Sequence, residues 1–134
     1  MSNAEKINLL IAEVRQMPAA GSVVVFGSVA RRDKPPVDLD LVLDARDCGS
    51  WQEACEKYQS TIAELLALAR RHYGYLDPFV WTQAGLVVRN AEATGWQRAN
   101  HQKTLVQAIG NDGVPLTNLQ LESISAPDEP SMGM

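Results

Sequence analysis

Nine residues separate Gly27-Ser28 from Asp38-Leu-Asp-Leu41, and that spacing constrains this chain more than any other feature of it. The run Val23-Val-Val-Phe-Gly-Ser28 begins with β-branched and aromatic residues, the composition of a buried strand, and ends where the chain must bend. Val29-Ala-Arg-Arg32 is then expected to start a helical turn. Its unpaired N–H groups and dipole would favour negative charge, such as a phosphate oxygen, at the end of the strand. The polar loop Asp33-Lys-Pro-Pro36 leads to a second strand, expected over residues 37–43. Side chains alternate along a strand, so Asp38 and Asp40 point one way while Leu39 and Leu41 point into the opposite layer.

Two carboxylates on one face of a strand repel each other unless water or a cation lies between them. A hard divalent ion such as Mg²⁺ takes one or two carboxylates plus substrate phosphates. A pair of such ions, roughly 3.5–4 Å apart, can hold both the attacking and the leaving oxygen of a phosphoryl displacement. A phosphate cradle and a metal bed joined by one short loop therefore form a mechanism as well as a pattern.

The motif Phe26-Gly-Ser-Val-Ala-Arg-Arg32 followed by Val37-Asp-Leu-Asp-Leu41 resembles the signature of the DNA polymerase β-like nucleotidyltransferase superfamily. The chain's size is similar to that of its single-domain, minimal members. The likeness covers residues 23–44, with a weaker extension to the region of Asp77. It implies a fold in which helices pack on a small mixed sheet, with the site at the sheet's open edge. It also implies that Asp38 and Asp40 bind the metals, that Gly27 lets the backbone approach a triphosphate, and that Ser28 bonds a phosphate oxygen. Arg31 or Arg32 would reach the departing pyrophosphate, with solvated surface charge an equal alternative for both. The family's third carboxylate, which completes the metal site and accepts the proton of the attacking hydroxyl, is expected at Asp77. Pro78 departs from the family pattern, because proline belongs at edges, bulges and turn openings. Asp44, in phase with Asp38 and Asp40, is the fallback.

Composition narrows the partners. A net charge of −4 argues against a nucleic-acid-coating role, which needs a basic footprint, although metals and arginines can reverse a local field. No apolar run approaches the ~18 residues of a membrane span, and the N-terminus lacks the pattern of a secretion signal. Cys48 and Cys55, the only cysteines, are expected to stay reduced in the cytoplasm, and a zinc site is not expected.

The remaining segments give an α/β sandwich of the α+β kind. Ser2-x-x-Glu5 is expected to cap a helix over residues 3–17, and Ser50-x-x-Glu53 to open the longest helix, with Trp51, Cys55, Tyr58, Ile62, Leu65, Leu66 and Ala69 on its buried side. Arg70, Arg71 and His72 would end that helix as dipole-complementing cations. Strands are expected over residues 75–81 and 86–90, and a last helix from Thr94 to about Ile109, closed by Gly110. Residues 1–122 form one domain, and 123–134 a mobile tail by composition. Tyr75, Trp81 and Trp96 are expected to pack in the core rather than stack a nucleobase.

The function that follows from the resemblance is Mg²⁺-dependent transfer of a nucleoside monophosphate, AMP from ATP, onto an acceptor hydroxyl. Many minimal members resemble antitoxins whose partner is a HEPN-type ribonuclease toxin, which motivates a protein acceptor. The alternatives are a catalytically silent, nucleotide-binding subunit that acts by docking, and a modifier of small molecules of the aminoglycoside type, for which a homodimer would supply the missing acceptor site.

Overall fold

A reciprocal capping box fixes where the chain first coils. The Ser2 hydroxyl accepts from the Glu5 amide while the Glu5 carboxylate accepts from the Ser2 amide, and helix α1 runs over Asn3–Val14. The computed structural model describes residues 2–119, so the tail expected from Ser123 lies outside the described residues. Strands β1 (Val23–Phe26) and β2 (Leu39–Asp44) follow, then helices α2 (Trp51–Lys57) and α3 (Gln59–Arg71). Strands β3 (Leu76–Thr82), β4 (Gly85–Arg89) and β5 (Trp96–Arg98), helix α4 (Gln102–Asp112) and the short strand β6 (Val114–Pro115) complete the order.

The six strands make one mixed sheet in the order β5-β4-β3-β2-β1-β6. The β2–β3 pair is parallel, as a strand–helix–strand crossover requires, and the other pairs are antiparallel. Alternation along β2 sorts its residues into two cores. Leu39, Leu41 and Leu43 pack with Ile7, Leu10, Ile11 and Val14 of α1 and with Leu65 and Leu68 of α3. Val42 faces the other way, with Phe26, Leu86, Ala99 and Ile109, under α4. The fold is thus a mixed α+β sheet with helices on both faces. No helix among the described residues is long and apolar enough to cross a membrane.

Four expectations are corrected. The long helix is two, interrupted at Tyr58 (φ −113°, ψ 32°), where Asp47 binds both the Tyr58 hydroxyl and Lys57 and ties the joint to the preceding loop. Its buried side is Ala54, Thr61, Ile62, Leu65, Leu68 and Ala69, with Cys55 and Leu66 only half-buried. Thr94 caps no helix. Its amide and hydroxyl are bound to Asn90 in a loop that Asn90 N–H closes onto the Gly95 carbonyl, and residues 96–98 pair with β4. Helix α4 starts only at Gln102, whose side-chain amide bonds both the N–H and the carbonyl of Leu86, and it runs past Gly110 to end at Gly113.

The Ser50 cap, like that at Ser2, forms as expected, its hydroxyl accepting from the Glu53 amide. Ser50→Ala should therefore cost about 1 kcal/mol, lowering the melting temperature by about 3 °C in a thermal denaturation.

Candidate active site

Parallel pairing of β2 with β3 brings the acids together. Asp40 lies directly opposite Asp77 in the register, so two side chains on the same face are one interstrand spacing apart. Asp38 precedes Asp40 by two residues, just ahead of the strand, and keeps the same side. One carboxylate oxygen from each of Asp38, Asp40 and Asp77 lies within 4.8 Å of the others, and all three residues are half-buried. Pro78 does not disturb this arrangement. Tyr75 and Trp81 turn their carbonyls to β2, so by alternation Pro78 turns its missing donor away from it. The ladder with β4 reaches only as far as Phe79, so no bond is lost there either. Asp44 is at the far end of β2 and forms an ion pair at 2.8 Å with Arg46, which stacks on Trp81 at 4.0 Å.

The bend lies against this cluster. Gly27 has φ +76°, and a Cβ there would overlap Asp40 Oδ2 and stand 3.2 Å from its Cγ. Only a residue without a side chain lets the Asp40 carboxylate lie on the bend. The expected helical turn forms but does not continue into a helix: residues 29–32 make a single turn. Arg31 N–H reaches the Gly27 carbonyl at 3.0 Å, and the turn is then closed by Arg32 N–H to Val29 and Asp33 N–H to Ser28. That pair of bonds around a left-handed residue, Arg32 at φ 62°, is a helix terminator, and Pro35 and Pro36 follow it. The dipole of a full helix is therefore missing from the bend.

Ser28 holds the loop rather than presenting its hydroxyl outward. Only 6% exposed, it donates to the Asp38 carbonyl (3.2 Å) and accepts from the Val37 amide (3.1 Å). Arg31 forms ion pairs with Asp33 (2.8 Å) and Asp112 (3.4 Å), and Arg32 is exposed, its conformation set by the turn. Ser28→Ala should cost about 1.5 kcal/mol by leaving the Val37 amide and Asp38 carbonyl without their partner, a fall of about 5 °C in melting temperature.

Electrostatics mark Asp38 and Asp40 as crowded acids. Burial pushes the Asp38 carboxyl up to about 7, with the hydrogen bond and charge of Asp77 adding to it. Burial likewise pushes Asp40 up to about 7, helped by the charges of Asp38 and Asp77 and opposed by Arg31. A residue not anticipated from the sequence supplies the cation at the other side. Arg89 Nη2 donates to Asp77 Oδ1 at 3.0 Å and Nη1 to the Asn90 carbonyl at 3.1 Å, while its guanidinium lies 5.4 Å from the centre of the Tyr73 ring. Alternation along β4 sets Arg89 with Val87, away from the acid face, so nothing local signals the contact. Only past the end of the β3–β4 ladder does the side chain reach Asp77.

Three carboxylates against one guanidinium leave two negative charges, the complement of one divalent ion. An all-oxygen donor set of this kind suits Mg²⁺, Mn²⁺ or Ca²⁺ rather than a softer metal. Tyr75, Trp81 and Trp96, expected in the core, are half-buried and pack against its margins: Trp96 tilts against Trp51 at 5.7 Å, and Lys6 lies over Tyr75 at 4.5 Å. Cys48 and Cys55 are both free. Two surface clefts of about 500 Å³, one at the α2–α3 joint and one between α1 and the end of α3, contain none of the three acids. Comparison of the chain with protein-family models, curated proteins and solved structures gives no match.

Proposed function

We propose that this chain is a cytoplasmic, Mg²⁺-dependent nucleotidyltransferase that moves AMP from ATP onto an acceptor hydroxyl. The single observation that carries the reading is the convergence of Asp38, Asp40 and Asp77 on the Gly27 bend. In the reaction the acceptor oxygen bonds to the α-phosphorus, the bond to the bridging oxygen breaks, and pyrophosphate leaves. Asp38, Asp40 and Asp77 would hold Mg²⁺, which when bound neutralises the phosphate oxygens and lowers the acidity barrier of the acceptor hydroxyl. Asp77 takes the hydroxyl proton, its second oxygen being free of Arg89. The turn from Gly27 to Arg32 lies beside the acids, where its backbone can pack against the triphosphate, and Arg31 would reach the tail by leaving both Asp33 and Asp112. A helical toxin of the HEPN type is the acceptor the reading favours, with a small molecule presented across a homodimer as the other.

Incubation with α-labelled ATP, Mg²⁺ and the product of the neighbouring gene tests this. Label on that protein, lost in Asp38→Ala/Asp40→Ala, is the expected result. Absence of both label transfer and Mg²⁺-dependent ATP binding would remove the proposal. One observation favours a second reading, a silent subunit that acts by docking: the Ser28 hydroxyl is already bound within its own loop. Under that reading the double alanine variant inhibits the partner as well as the wild type does.

A further inference from the structure

Helices α1 and α3 cover the face of the sheet opposite the acids, and where they reach the acid end they leave a cleft of about 500 Å³. Lys6 and Leu9 of α1 line one side of it, and Arg71, His72, Tyr73 and Tyr75 the other. Three contacts tie this cleft to the acid cluster. The Tyr75 carbonyl accepts at 2.9 Å from the amide of Leu39, the residue between Asp38 and Asp40. The Tyr73 ring lies 5.4 Å from the guanidinium of Arg89, which bonds Asp77. The carbonyl of Pro36, two residues ahead of Asp38, accepts at 3.5 Å from the Asn3 side chain, about one helical turn before Lys6.

The cleft is both apolar and positive. Among the described residues four large apolar side chains are exposed; Leu9 (54%) and Tyr73 (63%) line the cleft, and Val37 (66%) adjoins Asp38. Singly such side chains need no explanation, but three around one edge of a site mark a contact surface. Lys6 and Arg71 form no ion pair among the described residues. Glu13, which follows Lys6 and Leu9 along one side of α1, lies 3.4 Å from His72 Nε2 and so is not free to balance them. The cleft thus has the opposite sign to the chain, whose net charge is −4.

Resting on the nucleotidyltransferase reading, we infer that this cleft docks the acceptor, a protein, through an acidic segment that carries an apolar or aromatic side chain. That side chain fills the space between Leu9 and Tyr73, and the carboxylates flanking it meet Lys6 and Arg71. The chain beyond passes Val37 and Tyr75 and carries the acceptor hydroxyl round the end of the sheet to the acids. Two carboxylates match the two unpaired cations in full. A nucleic-acid strand would need a longer basic track, and its phosphates would run on past Asp38, Asp40 and Asp77.

Steady-state transfer of α-labelled AMP to the product of the neighbouring gene, varied in concentration at saturating Mg²⁺-ATP, tests this. Lys6→Glu and Arg71→Glu should each raise the KM for that protein about tenfold, with kcat and the Kd for Mg²⁺-ATP unchanged. Leu9→Ser should raise it about fivefold through the lost apolar contact. Lys103→Glu, the same charge reversal exposed at the start of α4, should leave it as it is. Added salt should raise the KM of the wild type more than that of Lys6→Glu. A wild-type KM in both Lys6→Glu and Arg71→Glu overturns the inference and leaves the transferase reading standing. So does a wild-type dimer that Lys6→Glu dissociates, or a fluorescein-labelled oligoadenylate whose binding Lys6→Glu abolishes, since either gives the cleft another occupant. Absence of label with the wild type also overturns the inference; the transferase reading falls with it only if Mg²⁺-dependent ATP binding is absent as well.

Discussion

Gly27→Ala is expected to lower the melting temperature by about 10 °C and to abolish divalent-cation binding. Two separate costs add. The backbone at φ +76° holds an L side chain at a penalty of about 1–2 kcal/mol, whatever surrounds it. The new methyl would also overlap Asp40 Oδ2, and Asp40 is fixed by its place in β2 opposite Phe26 and Asp77, so the carboxylate must rotate off the bend or the strand must shift. A double-mutant cycle separates the two. In Asp40→Ala the nearest remaining atom to the added methyl is Cβ at 3.4 Å, ordinary contact, so Gly27→Ala should cost about 1–2 kcal/mol less in that background. Strict additivity of the two substitutions in thermal denaturation would show that the carboxylate does not rest on the bend.

How far such a site is legible in the sequence depends on whether its contacts are local. The common orientation of Asp38 and Asp40 follows from the two-residue period alone, and the sorting of Leu39, Leu41 and Leu43 into the opposite layer follows with it. The meeting with Asp77 needs the register of a parallel pair closed across two helices, which no local pattern states. Only the resemblance points to it, and the end of the β4 ladder shows why Pro78 is tolerated there. Arg89 is illegible for the same non-local reason, compounded by an alternation that places it on the other face. The turn at residues 29–32 misled differently. Its helical start is real, but a left-handed arginine where glycine is usual gives no compositional warning of the stop. At Tyr58 and Thr94 a side-chain bond, to Asp47 in one case and Asn90 in the other, overrides a helical pattern.

The acid cluster should make stability fall as pH rises, the reverse of what paired carboxylates do. Asp38 and Asp40 are pushed up to about 7 in the folded chain, chiefly by burial, against an ordinary aspartate value in the unfolded one. Between about pH 4 and pH 7 the native state therefore holds more protons than the unfolded state, and raising the pH through that window removes stability; above it the loss is complete. The exposed part of each side chain is screened by water, so the expected fall in melting temperature of the metal-free protein is about 5 °C from pH 5 to pH 8. Mg²⁺ competes with those protons. At pH 8 a concentration of 100 times its dissociation constant should add about 2.7 kcal/mol and more than restore the loss, whereas at pH 5 the same concentration should do little. Asp38→Asn/Asp40→Asn should show neither the fall nor the rescue, so the difference between the two profiles isolates these two carboxyls. A wild-type profile that is flat or rising relative to that variant, with no Mg²⁺ effect at pH 8, would mean that the three carboxylates do not form a cation site.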